Sequence, residues 1–356
     1  MSDKVKDLML TTLFAIFGGL LISALLLLFL DLNPFTVFSL AFQKVISDQY
    51  TMGDIFLKAT PLIFTALAFA FTYKASLFNI GAQGQFYAGS IVAIALSLQL
   101  QNVLPTALLL PLVMVCTFIA GGLIGGIIGY LKSYFGANEF LVSMMSTYVM
   151  VAIMNYLLRT FLKETKGEYP QTDALVKSAW IPNIVKGTRL HAGFIVAVVI
   201  ALLVWVLLYK TQLGFRIRAV GSNAGAAKMS GINVKTIGII TFMISGGLAG
   251  LAGFTEINGV QHMLIQDFNP NLGAAGLGIA ILANANPIGI IFASILFGAI
   301  NVVGNMMGRL PGMNVPSSFI DLMQGLVMLF VIASYYLRHR LETRREKKKL
   351  MEVVSE

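Results

Sequence analysis

The stretch Leu104-Pro-Thr-Ala-Leu-Leu-Leu-Pro-Leu-Val-Met-Val-Cys-Thr-Phe-Ile-Ala-Gly-Gly-Leu-Ile-Gly-Gly-Ile-Ile-Gly-Tyr-Leu131 decides the class of fold. It carries no charged side chain and is longer than the roughly 20 apolar residues that a helix needs to cross a bilayer core of about 30 Å. Further runs of this kind lie near 8–30, 56–73, 80–100, 138–161, 191–209, 235–257, 271–284, 286–306 and 317–337. With 104–131 they make ten segments. The expectation is an all-α, polytopic membrane protein forming a single transmembrane domain over 1–356. The segment 271–284 is too short to cross as a regular helix, so it reads as broken or re-entrant. The run at 8–30 exceeds a signal-peptide core and is followed by no A-x-A-like cleavage site, so it reads as a retained helix.

Composition agrees. Of 356 residues, 57% are hydrophobic and 12% charged, and the mean hydropathy is +0.82. Soluble domains carry about 25% charged residues. The net charge of +9 does not make a nucleic-acid binder. Its basic residues are spread over loops and a tail, not gathered on one face. The single cysteine, Cys116, excludes a disulfide framework and a thiolate metal site. His191, His262 and His339 are far apart in sequence with no i, i+4 partner, which argues against a metal centre. No G-x-S-x-G, HExxH or GxxxxGK[ST] occurs. The chain is therefore expected to be no enzyme, to hold no cofactor and to cradle no nucleotide by itself.

Orientation follows from lysine and arginine. One side holds Lys4, Lys6, Lys74, Lys132, Lys210, Arg216, Arg218, Lys228, Lys235 and seven basic residues between Arg338 and Lys349, sixteen in all. The other side holds nine, five of them in the 162–190 loop. Both termini are thus expected in the cytoplasm, with 1–7 as a short N-terminal segment and 338–356 as a basic tail held to anionic lipid. The 162–190 loop, with Trp180, Pro170 and Pro182, is the largest external feature. It reads either as a docking surface for an extracellular partner or as a solvated connector.

Two segments echo each other: Asn79-Ile-Gly-Ala-Gln-Gly84 and Asn271-Leu-Gly-Ala-Ala-Gly276. Their offset divides the chain into two halves of five spans. An odd number per half forces an inverted five-plus-five repeat, with broken helices meeting near the bilayer midplane. Gly121, Gly125 and Gly129, Gly122 and Gly126, and Gly246 and Gly250 fall four apart, spacing that lets helix backbones approach closely. Plain helix packing accounts for these glycines best.

Polar side chains in apolar runs are costly unless they line water or pair internally. The candidates for a solute pathway are Asn79, Gln83, Gln85, Asn138, Glu139, Ser143, Asn155, Asn271, Asn284 and Asn286, the last two flanking the break before Pro287. Glu256 and Asn258 end the seventh span. Most are amides and hydroxyls, suited to a neutral polar solute rather than to a proton relay. Asn79 and Asn138 could equally cap helices, and Glu139 reads first as an acid placed near a helix N-terminus. Ser245-Gly246-Gly247 looks superficially like an ATPase signature, but it lies inside an apolar span.

The stretch 210–234 starts basic at the membrane face. Gly221-Ser222-Asn223 gives a helix start with Ser222 or Asn223 as N-cap. A short Ala-rich helix follows, closed by Gly231 as C-cap. Asn-Ile-Gly-Ala-Gln-Gly-Gln (79–85), Gly-Ala-Asn-Glu (136–139), Leu-Gly-Phe-Arg-Ile-Arg-Ala-Val-Gly (213–221) and Gly-Ile-Ala-Ile-Leu-Ala-Asn-Ala-Asn-Pro (278–287) occur in that order. The chain resembles, over roughly 55–335, the permease subunits of ABC importers, closest to the ribose- and nucleoside-type branch. The long N-terminal part and the extended 162–190 loop resemble the nucleoside members more than the ribose ones. The Ala-Asn-Ala-Asn-Pro stretch at 283–287 departs from the Leu-Gly-type stretch usual before that Asn-Pro.

The resemblance implies that the 213–231 loop, with Arg216, Arg218, Gly221, Ser222, Asn223, Ala226, Ala227 and Gly231, docks on a cytosolic ABC ATPase that uses the ATP. It implies an extracellular substrate-binding protein and a second, non-identical permease subunit. The expected function is a cell-membrane permease for nucleosides. The rivals are an importer of ribose or another simple sugar and, further off, an ion-coupled carrier.

Overall fold

A computed structural model describes residues 33–307 apart from 166 and 168, with scattered positions on either side. The spans expected at 8–30 and 317–337, the basic tail and the placement of both termini lie outside the described residues. Two compact units are present, one of 1–51 with 300–356 and one of 52–299. In the first, α1 (Pro34–Ser47) was not foreseen from hydropathy. Its start is set by proline at the first helical position and by Asn33, whose Oδ1 accepts from the Phe35 N–H at 3.0 Å. Asp48 caps α2 in the same way, through the Tyr50 N–H at 3.0 Å.

The helices that follow are α2 (Gln49–Tyr73), α3 (Ala82–Leu100), α4 (Thr106–Phe135), α5 (Glu139–Arg159), α6 (Gly193–Lys210), α7 (Gln212–Ser222), α8 (Ala224–Met229), α9 (Val234–Glu256), α10 (Leu272–Leu282) and α11 (Pro287–Met307). Described residues form no strand, only the isolated bridges Gln171↔Ile265 and Asn183↔His191. The architecture is all-α and built for a bilayer. Six helices, α2, α4, α5, α6, α9 with its extension to Gln261, and α11, are long and apolar enough to cross. The ten-segment expectation is thus not reproduced span for span. α3 has the length, yet its Gln83, Gln85, Ser90 and Ser97 lower its hydropathy, and it is buried inside the bundle instead of facing lipid. α10, with 11 residues, rises only about 16 Å at 1.5 Å per residue. It cannot span.

α3 and α9 form the centre of the second unit, with α4 packed on both and α5 on α3. Leu108, Leu112, Val115, Ile119, Leu123, Ile127, Tyr130 and Tyr134 line one exposed face of α4 at spacings of three and four. Such a stripe is where lipid would lie. On the opposite face Gly121, Gly125 and Gly129 meet α9 backbone, and a Cβ on Gly121 would overlap the Gly246 carbonyl. The reciprocal overlap holds for Gly246 on Gly121, and Gly250 meets Thr117 in the same way. These glycines set the α4–α9 crossing, as helix packing requires. Gly136, at φ 66°, ends α4 with its N–H bonded to Leu131 O and Lys132 O, a left-handed C-cap that glycine adopts without strain.

Candidate functional site

Residues 74–76 turn the chain back into the bundle, so the first echoed motif lies well inside it. Asn79 Nδ2 donates to Gln85 Oε1 at 2.7 Å and to Ser245 Oγ at 2.8 Å. Ser245 Oγ in turn donates to the Ala68 carbonyl of α2 at 2.6 Å. Ala68 is five residues from the end of α2, about 7 Å along its axis. Asn79 therefore ties three elements together and caps nothing. Ser245 proves to be a structural hydroxyl in a span.

Gln83 reaches the second echoed motif. Its Nε2 donates to the Asn269 carbonyl at 2.9 Å, and its Oε1 accepts from the Gly273 N–H at 2.6 Å. Gly273 lies so close to Gln83 that a Cβ there would meet the Gln83 backbone. One side chain later, Asn269 Nδ2 donates to Glu256 Oε1 at 2.5 Å, and Gln261 Nε2 reaches the same oxygen at 3.3 Å. Phe268 sits between Phe86 and Tyr87, ring centroids 5.2 and 5.6 Å away, and the Tyr87 hydroxyl donates to its carbonyl at 3.2 Å. Asp267 and Asn269 hold φ of 54° and 45°. Left-handed backbone at a non-glycine residue persists where the surroundings over-determine it, as these bonds do.

The other pathway candidates are placed differently. Asn138 caps α5, accepting from the Phe140 N–H at 3.0 Å, and Glu139 pairs with Lys132 at 2.6 Å. Both belong to the α4–α5 turn. Asn286 caps α11, accepting from the Ile288 N–H at 3.0 Å. Ser143 Oγ and Asn155 Oδ1 are buried with no hydrogen-bond partner. Asn271 is exposed just before α10. Asn284 and Ala285, at φ 54° and 50°, make the α10–α11 turn, and Lys74 Nζ donates to the Asn284 carbonyl at 3.4 Å. Burial, then the nearby Arg218 charge, pushes the Lys74 amine below its usual range.

At the Glu256 end of α9 the stretch 171–192 is bound down. Thr172 N–H donates to Leu264 O at 3.0 Å, Leu175 N–H to His262 O at 2.8 Å and Ile181 N–H to Asn258 O at 2.8 Å. Asn258 Nδ2 returns a bond to Ala179 O at 2.9 Å. Trp180 stacks on His262 at 3.8 Å and 7°. The fold brings His191 and His262 together, which their sequence separation hid. His191 Nδ1 accepts from the Gly193 N–H at 3.1 Å. Burial first, and the neighbouring His262 second, lower its pKa to about 4. Burial and then Arg189 lower His262 to about 4 as well. Among the described residues no group of three or more His, Cys, Asp or Glu is placed to hold a metal.

The 210–234 stretch is two helices where one was expected. α7 starts at Thr211, whose Oγ1 accepts from the Gly214 N–H at 3.2 Å. Ser222 is therefore the last residue of α7 and no N-cap; its hydroxyl donates to Arg218 O at 3.0 Å. Asn223 is the cap, accepting from the Ala226 N–H at 3.0 Å. Gly231, at φ 80°, follows the end of α8. Ala227 is buried against its own chain, whereas Phe215 is 62% and Met229 90% exposed. Gly221 packs on the Lys74 carbonyl with no room for a Cβ, and Ser76 Oγ donates to Gly221 O at 2.7 Å.

A bundle of lipid-facing helices around a buried, amide-rich junction, with a short half-helix and a braced helical hairpin at 212–229, is the build of a multi-pass membrane protein. The chain belongs to the family described as branched-chain amino acid transport system, permease component, which matches residues 51–332. It is a permease component and not an enzyme. It is 30% identical to the glucose ABC transporter permease protein of Haloferax volcanii, over 93% of this chain and 89% of that one. It is also 30% identical to the guanosine ABC transporter permease protein of Bacillus subtilis, over 93% and 94%. With a nucleoside ABC transporter permease protein of Lactococcus lactis it shares 28% identity over 94% and 93%.

Proposed function

We propose that this chain is the permease subunit of an ATP-driven importer of nucleosides. The observation that carries the reading is the match, along more than nine tenths of both chains, to permeases named for guanosine and nucleosides. The junction supports it. Amides, one acid and an aromatic trio suit a neutral solute that has both hydroxyls and a ring system. Hydrolysis of ATP belongs to cytosolic ABC ATPase subunits, and this chain holds no cofactor. Solute arrives from an extracellular substrate-binding protein seated over the 162–190 segment, and a second, non-identical permease completes the pathway. Both termini are cytoplasmic.

Mechanistically, the ATPase contacts the exposed Phe215, Arg216, Lys228 and Met229 of α7 and α8. Motion there passes from Gly221 to Lys74 and from Lys74 to the Asn284 carbonyl at the inner end of α10. The half-helix then shifts against Gln83, and the solute loses its partners as the opposite side opens. The assembled transporter in proteoliposomes decides the substrate. ATP-dependent uptake of guanosine or uridine, with glucose left outside, is the expected result. Glucose uptake without nucleoside uptake would support the sugar reading that the Haloferax relative favours.

A further inference from the structure

Glu256 is the one Asp, Glu, Lys or Arg that is buried among the described residues, at 2% exposure. No cation pairs with it there. An ionisable group kept inside a membrane helix bundle is expensive and marks a functional place by default. Its two hydrogen bonds, from Asn269 and Gln261, both end on Oε1, which leaves Oε2 to accept from something else. Asn269 and Gln261 are themselves only half-buried, so the carboxyl lies one side chain below an accessible surface. The frame is stiff: Asn269 is held at its carbonyl by Gln83 and at its amide by Glu256, and Phe268 is clamped by Phe86 and Tyr87.

We propose that Glu256, oriented by Asn269 and Gln261, is the group that recognises vicinal hydroxyls of the solute, with Gln83 and residues 267–269 as its frame. The carboxyl oxygen that Asn269 and Gln261 leave free is an acceptor for hydroxyl donors, and among the described residues no cation stands beside it to hold a phosphorylated, anionic solute. A metal cation would need oxygen ligands around it, but the side chains aimed at this site present N–H groups. The same vicinal hydroxyls occur on a ribonucleoside and on a free sugar. The assignment deepens the importer reading and rests on it, while the nucleoside choice is tested separately.

The experiment is uptake by the assembled transporter in proteoliposomes, normalised to inserted permease. It compares guanosine with 2′,3′-dideoxyguanosine, and glucose with a glucose lacking its vicinal pair. Glu256→Gln should lower kcat/KM for guanosine about tenfold and leave the dideoxynucleoside within about twofold. Asn269→Ala, which keeps the carboxyl but loosens it, should lower the ribo-to-dideoxy ratio about threefold, and it decides the matter if Glu256→Gln fails to insert. A ratio unchanged in the inserted variant overturns the assignment. Wild-type uptake of glucose alone, with the same ratio loss in Glu256→Gln, would sink the nucleoside reading and leave the recognition of vicinal hydroxyls standing.

Discussion

Gln83 and Gly273 stand 190 residues apart, and the side-chain oxygen of one accepts the main-chain N–H of the other at 2.6 Å. The bond joins the two echoed motifs, and it satisfies one of the amide groups that the start of α10 leaves without a helical partner. Replacing Gln83 with Leu keeps the volume but strands that N–H and the Asn269 carbonyl, at about 1–3 kcal/mol for each buried group left unmade. Deuterium uptake over 269–276 should rise several-fold in Gln83→Leu while 242–250 stays protected. Unchanged uptake at 269–276 would mean that α10 is held by other contacts.

The Gly221–Lys74 contact makes a second demand. A side chain on Gly221 has no space against the Lys74 carbonyl, so Gly221→Val must push α7 away from the end of α2. Insertion should be retained, because no span is touched. Solute-stimulated ATPase activity of the complex should drop at least fivefold, while the unstimulated rate changes less than twofold. Equal stimulation in the variant and the parent would remove this contact from the coupling route.

Acid should release the segment that carries Trp180 and His191. The folded chain holds His191 and His262 at about 4, below the ordinary 6.5. Both are therefore neutral in the folded state, and the unfolded or detached state binds more protons as pH falls. The stabilisation is fully present above about 6.5 and is lost as pH drops towards about 4. For the buried His191 a shift of this size is worth about 3 kcal/mol; the half-buried His262 contributes less because solvent screens it. Trp180 stacks on His262, so its emission in a Trp205→Phe background should change between pH 6.5 and 4, and His191→Phe should shrink the change. A flat signal down to pH 4 would count against this linkage.

The spans of the second unit were legible because one signal, an apolar run of about 20 residues, dictates a membrane helix almost by itself. α4 shows this, observed over Thr106–Phe135 against an expectation of 104–131. α10 was legible as too short, for the same reason. The site was legible only in part. Gln83 and Asn79 stood out as amides in apolar surroundings, but their partners at Gly273 and Ser245 are 190 and 166 residues away. No local pattern announces such pairings. Glu256 was visible as an acid at the end of a span, yet its importance lies in burial without a cation, which sequence does not display. At Asn138 and Glu139 the capping and helix-start readings that the sequence offered match the observed cap and the Lys132 ion pair.

Cysteine accessibility tests the two echoed motifs directly, in a Cys116→Ala background. In an inverted repeat, equivalent positions meet water from opposite faces. The structure sharpens that expectation, because Asn79 is 1% exposed and doubly bonded through Nδ2 to Gln85 and Ser245, whereas Asn271 is exposed. A thiol reacts as its thiolate, and buried apolar surroundings suppress that form. Asn271→Cys should therefore react with a small hydrophilic thiol reagent added outside, in the resting state and within minutes. Asn79→Cys should stay unmodified at rest and become reactive from the cytoplasmic side only when trapped nucleotide or solute opens the inner half. The contrast in rate should exceed tenfold. Equal resting rates at the two positions would show that the Asn79–Gln85–Ser245 cluster is open in the membrane, and labelling of both from one side would refute the inverted arrangement.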